Sequence, residues 1–177
     1  APLAELLRKQ ILEETGGSML RFSHDKIREV AYGRLPATER QELHRRTARE
    51  LEQLLARGEG DVASATLAHH WLEAGDPAKA VVHLDAAAEE ALAAGAYQEA
   101  TLHLERALEA SQPRDDGREV ALAPLKRASW HQRLGQTYLA AGRLDASRTH
   151  ASQALTLVHL PPPRSQGGWV RHLISQL

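Results

Sequence analysis

The sequence predicts an all-α fold carrying one small β-hairpin near its N-terminus: a short mixed module followed by an array of helical hairpins. Three observations predict it. Hydrophobic residues make up 42% of the 177 residues, mostly Ala and Leu, while aromatics make up only 4%. That balance suits helices that cross closely through small side chains, and it starves the pleated faces of a β-sandwich. Small and large residues also recur at fixed offsets around three glycines, and turn-forming residues interrupt a short segment ahead of them.

Taken in order, Leu3, Leu6 and Leu7 end a first helix. Ile11–Glu14 and Met19–Phe22 flank Thr15-Gly16-Gly17-Ser18 and read as a hairpin around a Gly-Gly turn. Ser23 is placed to cap a helix whose apolar positions Ile27, Val30, Ala31 and Leu35 keep helical spacing until Pro36 stops it. Thr38 and Gln41 form a T-x-x-Q capping-box pattern opening a charged helix, with Leu43, Thr47, Leu51, Leu54 and Leu55 on one face and Gly58 and Gly60 at its end. Helix, hairpin, helix, helix over residues 1–57 is compatible with a winged-helix remnant, an element order that is not unique to it.

Residues 58–160 repeat themselves. Five residues after Gly75, Gly95 and Gly142 stand Ala80, Ala100 and Ser147; nine after stand Leu84, Leu104 and Ala151; twelve after stand Ala87, Ala107 and Ala154. Ahead of the outer two glycines, Leu67-Ala68-x-x-Trp71 and Leu134-Gly135-x-x-Tyr138 hold the same offsets. This is the tetratricopeptide pattern, with small residues at helix crossings and large ones between hairpins. Asp76-Pro77 adds an N-cap followed by proline at the first helical position. Only 20 residues separate Gly75 from Gly95, so a helix over about 77–94 must serve two hairpins. Gly95 to Gly142 spans 47, and the excess falls on a loop around Gln112–Gly117. Pro161–Pro163 and Gly167-Gly168 break the array, and Trp169, Val170, Leu173, Ile174 and Leu177 give residues 161–177 a terminal amphipathic helix.

Residues 1–60 carry a net charge of +1, residues 61–117 carry −8 and residues 118–177 carry +6, so the total of −1 hides an acidic middle and a basic end. Such polarity favours a steered partner or internal docking over broad phosphate-backbone binding. There is no cysteine, which excludes thiol nucleophiles, disulfides and Cys-type metal sites and fits a reducing, cytoplasmic setting. No apolar run is long enough for a membrane span, and no signal peptide is visible. The absence of an initial Met and the abrupt end at Leu177 give the expectation of a piece of a larger protein.

The stretch Phe22-Ser23-His24-Asp25-Lys26-Ile27-Arg28-Glu29-Val30-Ala31-Tyr32, with Arg40 and Leu43-His44-Arg45-Arg46 after it, carries a resemblance. It is similar to the segment after the ATPase core in bacterial signal-transduction ATPases of the STAND type. Those are large ATPases fused to adenylate or guanylate cyclases, Ser/Thr kinases or LuxR-family DNA-binding domains. Leu67-Ala68-His69-His70-Trp71-Leu72-Glu73-Ala74-Gly75-Asp76 resembles the first helical repeat there, and the likeness covers residues 1–160. It implies that His24, with Asp25, senses the β-phosphate of a bound nucleotide. Ser23 stands where that family's motif has Met, so only the His-Asp pair carries over. No glycine precedes a lysine, so a phosphate loop for ATP or ADP would have to come from an upstream domain.

No catalytic constellation competes with this. The ten histidines form no H-E-x-x-H and no i, i+4 pair, and adjacent His69 and His70 diverge by about 100° on a helix. His83, His103 and His150 recur eight residues after each glycine, which reads as a packing slot, and no metal site is expected. There is no G-x-S-x-G elbow, and Glu89-Glu90 and Asp115-Asp116 read as solvated charge. Lys26, Arg28 and Arg34 are interrupted by Asp25 and Glu29, which disfavours nucleic acid. Arg40, Arg45, Arg46 and Arg49 alternate with Glu39, Glu42 and Glu50, as on a solvated helix.

The expectation is therefore a non-catalytic segment whose repeats bind a protein, a peptide or another domain of the same polypeptide. First helices line the concave face of such arrays, which gives Ala65, His69, Leu72 and Glu73, then Gln132, Gln136, Leu139 and Ala140. A free-standing tetratricopeptide-type adaptor and a winged-helix DNA-binding module are the alternatives.

Overall fold

A computed structural model describes residues 3–15, 20–59, 61–113, 120 and 122–161. The fold is mostly helical, with one two-stranded antiparallel hairpin near the N-terminus. The elements are α1 (Leu3–Arg8), β1 (Leu12–Glu14), β2 (Leu20–Phe22), α2 (Asp25–Gly33), α3 (Ala37–Ala56), α4 (Ser64–Glu73), α5 (Pro77–Ala93), α6 (Tyr97–Ala110), α7 (Pro124–Ala140) and α8 (Leu144–Leu157). None of the described helices is long and apolar enough to cross a membrane. The Gly-Gly turn, most of the 112–117 loop and the terminal helix around Trp169 lie outside the described residues.

The chain divides into two units, Ala1–Leu43 and His44–Leu177. The boundary at 57/58 marks the end of α3, whereas the contact boundary lies inside it. The physical reason is that the second half of α3 packs on α4: Ala48 shares a buried cluster with Trp71, Ala74 and Ala80.

In the first unit Leu12 pairs with Phe22, Glu13 with Arg21 and Glu14 with Leu20. An ion pair joins Arg21 to Glu13 across the strands. None of this unit's described residues is buried. Leu20, Phe22, Val30, Tyr32 and Leu43 are between 36% and 48% exposed.

Three local expectations are corrected here. Ser23 does not cap α2; the cap position is His24, extended at φ −137° and ψ 130°, and it makes no side-chain capping bond. The T-x-x-Q box does not form, because α3 starts at Ala37 and puts Thr38 inside the first turn, where proline at position 36 supplies the accepting carbonyl to Arg40. The face assigned to α3 is also rotated: Leu43 and Leu55 are about half exposed, and Ala48 is the residue fully enclosed.

In the second unit, each helix from α4 to α8 packs on the next. Asp76 caps α5 by accepting from the Lys79 amide at 3.1 Å, with Pro77 in the first turn. One closure ends α4, α5 and α7. The amides of Asp76, Ala96 and Arg143 reach back to the carbonyls of Trp71, Ala91 and Tyr138 at 2.8–2.9 Å. Gly75, Gly95 and Gly142 meanwhile take φ of 72–73°. This is the Schellman motif, which needs a left-handed residue and so selects glycine. The small-residue slots are filled as spaced: Ala80 and Ala100 are wholly buried and Ser147 is 1% exposed. A β-carbon at Gly135 would meet the Ser147 carbonyl at 3.4 Å, so α7 and α8 cross closely there.

The core joins Ala68, Val81, Leu84, Ala88, Leu104, Ala107, Trp130, Leu134 and Tyr138. Within it Asp85 of α5, 8% exposed, accepts from Trp130 Nε1 at 2.6 Å and from Lys126 and Arg133 of α7.

Candidate functional site

Of the residues read as a partner face, the structure brings together His69, Leu72 and Glu73. On α4 these follow one helical stripe and line a groove of about 430 Å³ with Arg106, Glu109 and Ala110 of α6. His69 and Glu73 are exposed, and Leu72 is half-buried because it also packs on the core. Ala65 sits on the same helix outside the groove. Gln132, Gln136, Leu139 and Ala140 lie on α7 and line no part of it; Gln132, Gln136 and Ala140 are exposed and Leu139 is half-buried.

Sequence reasoning missed Arg106, Glu109 and Ala110, because a second helix was assigned to the outer side. The short glycine spacing explains them. With α5 packed against both α4 and α6, these two helices share α5 as a common neighbour and their side chains converge on one groove. The groove offers carboxylates at Glu73 and Glu109, a guanidinium at Arg106 and a small apolar floor. That equipment suits contact with a peptide side chain.

Both aromatic repeat positions are gripped by neighbouring polar groups. Trp71 Nε1 donates to Glu52 Oε1 at 2.8 Å, and Lys79 Nζ stands 3.9 Å from the ring centroid. His83 Nε2 lies 3.1 Å from the same carboxylate. Burial pushes the Glu52 carboxyl up, but His83, Trp71 and Lys79 outweigh it and the net shift is downward. Tyr138 donates its hydroxyl to Glu105, with Arg143 4.7 Å from its ring and His150 stacked on it. The matching slot before Gly95 holds Ala91, and there the repeat-equivalent His103 keeps a buried Nδ1 without a partner.

Five of the ten histidines gather in two places. His44 and His70 meet Nδ1 to Nδ1 at 2.9 Å, with His69 5.6 Å from His44 and 5.4 Å from His70 between ring centroids. Burial lowers the His44 pKa first, with His69 adding to it and Glu73 opposing; burial and the two neighbouring histidines lower His70. His131 and His150 make the second pair. Among the described residues no group of three or more His, Cys, Asp or Glu is arranged to hold a metal ion.

His24 is exposed at the head of α2 and borders a concavity of about 680 Å³ with Leu7, Gln10, Leu12, Glu13, Glu14 and Ser23. Asp25 is spent on Arg28, 3.3 Å away, and Lys26 on Glu29 at 2.9 Å. The hollow thus presents carboxylates beside the histidine, and an anionic phosphate there would need cations from another body. No known protein family, curated protein or solved structure matches the chain.

Proposed function

We propose that the chain is a non-catalytic regulatory and protein-interaction segment of a larger cytoplasmic signal-transduction ATPase. In this reading residues up to α3 form a winged-helix-like module, and α4–α8 form a tetratricopeptide-like superhelix that couples partner binding to nucleotide state. The observation that carries it is the recurrence at Gly75, Gly95 and Gly142 of one helix closure and one set of enclosed small residues. Arrays of that kind bury little between non-neighbouring units and present continuous binding faces. The α4–α6 groove at His69, Leu72 and Glu73 is the place a protein or peptide segment would use.

Two features support an ATPase neighbour. The first unit leaves Leu20, Phe22 and Val30 exposed, as a module completed by another body would. His24 is presented to solvent and makes no capping bond.

The test is the reading frame around this segment together with one variant. A phosphate-loop ATPase continuous with Ala1 is expected, and His24→Ala in that protein should weaken nucleotide binding by about ten-fold, roughly 1.4 kcal/mol. A frame that starts at Ala1, or identical nucleotide titrations, would overturn the reading in favour of a free-standing adaptor.

A further inference from the structure

His131 of α7 and His150 of α8 approach Nδ1 to Nδ1 at 2.9 Å, their rings 5.2 Å apart and stacked, both half-buried. A hydrogen bond between two such nitrogens needs one N–H and one bare nitrogen. The pair therefore tolerates one extra proton at most. Two imidazolium rings at that separation, partly shielded from water, would repel strongly. The charged and titratable groups around the pair come from two helices, α6 and α7. Arg127 and Tyr138 stand on α7 itself, and Glu105 comes from α6, where it accepts the Tyr138 hydroxyl. Tyr138 stacks on His150 at 5.4 Å, and the same helices cross closely at Gly135 and Ser147.

We propose that the His131–His150 pair is a proton-sensitive latch that holds α8 against α7 at neutral pH and releases it on acidification. Burial first, then His150 and Arg127, push His131 down to about 4. Burial also lowers His150, with Glu105 opposing. When α8 swings away, both rings meet water and titrate near about 6.5. The open form then binds more protons than the closed form. Closure is therefore fully favoured above the ordinary histidine value and is lost progressively as the pH falls toward the folded value. Acidification would so uncover the small-residue face of α7 that α8 now occupies.

Hydrogen exchange on the whole chain, with a metal chelator present, tests this. Between about pH 7 and about pH 5, protection factors of α8 amides such as Ala151 should fall on the order of ten-fold after correction for intrinsic rates. Those of α5 should hold, because Asp85 remains ionised there. His131→Gln should abolish the α8 difference. Unchanged α8 protection, or an equal fall in α5, would overturn the latch. Should the variant loosen α8 at both pH values, ring-proton titration of the unaltered chain decides. A His131 midpoint far below the ordinary value supports the latch, and an ordinary midpoint overturns it.

Discussion

Asp85 illustrates how one side chain carries a contact between helices. It sits on α5 and is nearly enclosed, and its carboxylate collects Trp130, Lys126 and Arg133 from α7. Burial alone would raise its pKa, but those donors outweigh burial and hold it below the usual carboxylate range. An asparagine there keeps an oxygen to accept from the Trp130 N–H but removes the negative charge shared by Lys126 and Arg133, the latter 18% exposed. Asp85→Asn should therefore cost about 3 kcal/mol near pH 7, as broken buried pairs do. Because the folded pKa is depressed, this stabilisation is present above the ordinary Asp value and vanishes as the pH falls through the folded one. Urea unfolding of both proteins at neutral and strongly acid pH checks it: the gap should close in acid, and a constant gap would show that shape rather than charge is at work.

At the scale of the helix, one C-terminal closure recurs with different residues. Gly142 sits at φ 72° with open space around its missing β-carbon, so Gly142→Ala should cost about 1 kcal/mol from backbone conformation alone. His159 ends α8 in the same way at φ 59°, its amide bonded to Thr156 and the Leu160 amide to Leu155. Replacing it with glycine should stabilise α8 by roughly 0.5–1 kcal/mol, the opposite sign at an equivalent slot. Denaturant midpoints for the two variants test the pair together. These closures were legible in the sequence because glycine has few rivals at positive φ. The caps were less so. Thr38 has the right chemistry for a cap, yet the helix starts at Ala37, two residues earlier than that cap would set it, and nothing local distinguishes the two starts. Helical faces followed the same rule. Around the glycines small residues mark the crossings, but on α3 a periodic leucine row misled, because Ala48 is the residue whose size allows close approach to Trp71. In the groove, His69, Leu72 and Glu73 were readable from one helix. Arg106 and Glu109 were not, since their placement depends on α5 packing against two helices at once.

Across the whole molecule, enclosed side chains are distributed unequally. Every buried residue among those described falls between Ala48 and Ser147, and none belongs to the first unit. Two strands of three residues and two short helices bury too little apolar surface to offset the entropy of ordering them. Opening of residues 3–43 should therefore need far less free energy than opening of α4–α7, whose core closes around Trp71 and Trp130. Trypsin at low dose should cut at Arg8, Arg21, Lys26 and Arg34, while Lys79 and Arg133, set in packed helices, survive. The surviving fragment should keep its helical circular dichroism. Mass spectrometry of the digest reads this directly. Cleavage at Arg133 as early as at Arg21 would mean that the second unit opens as readily as the first. A physical consequence joins this to function: a body that covers Leu20 and Phe22 lowers the open population of the first unit by mass action, so protection there reports on what is bound.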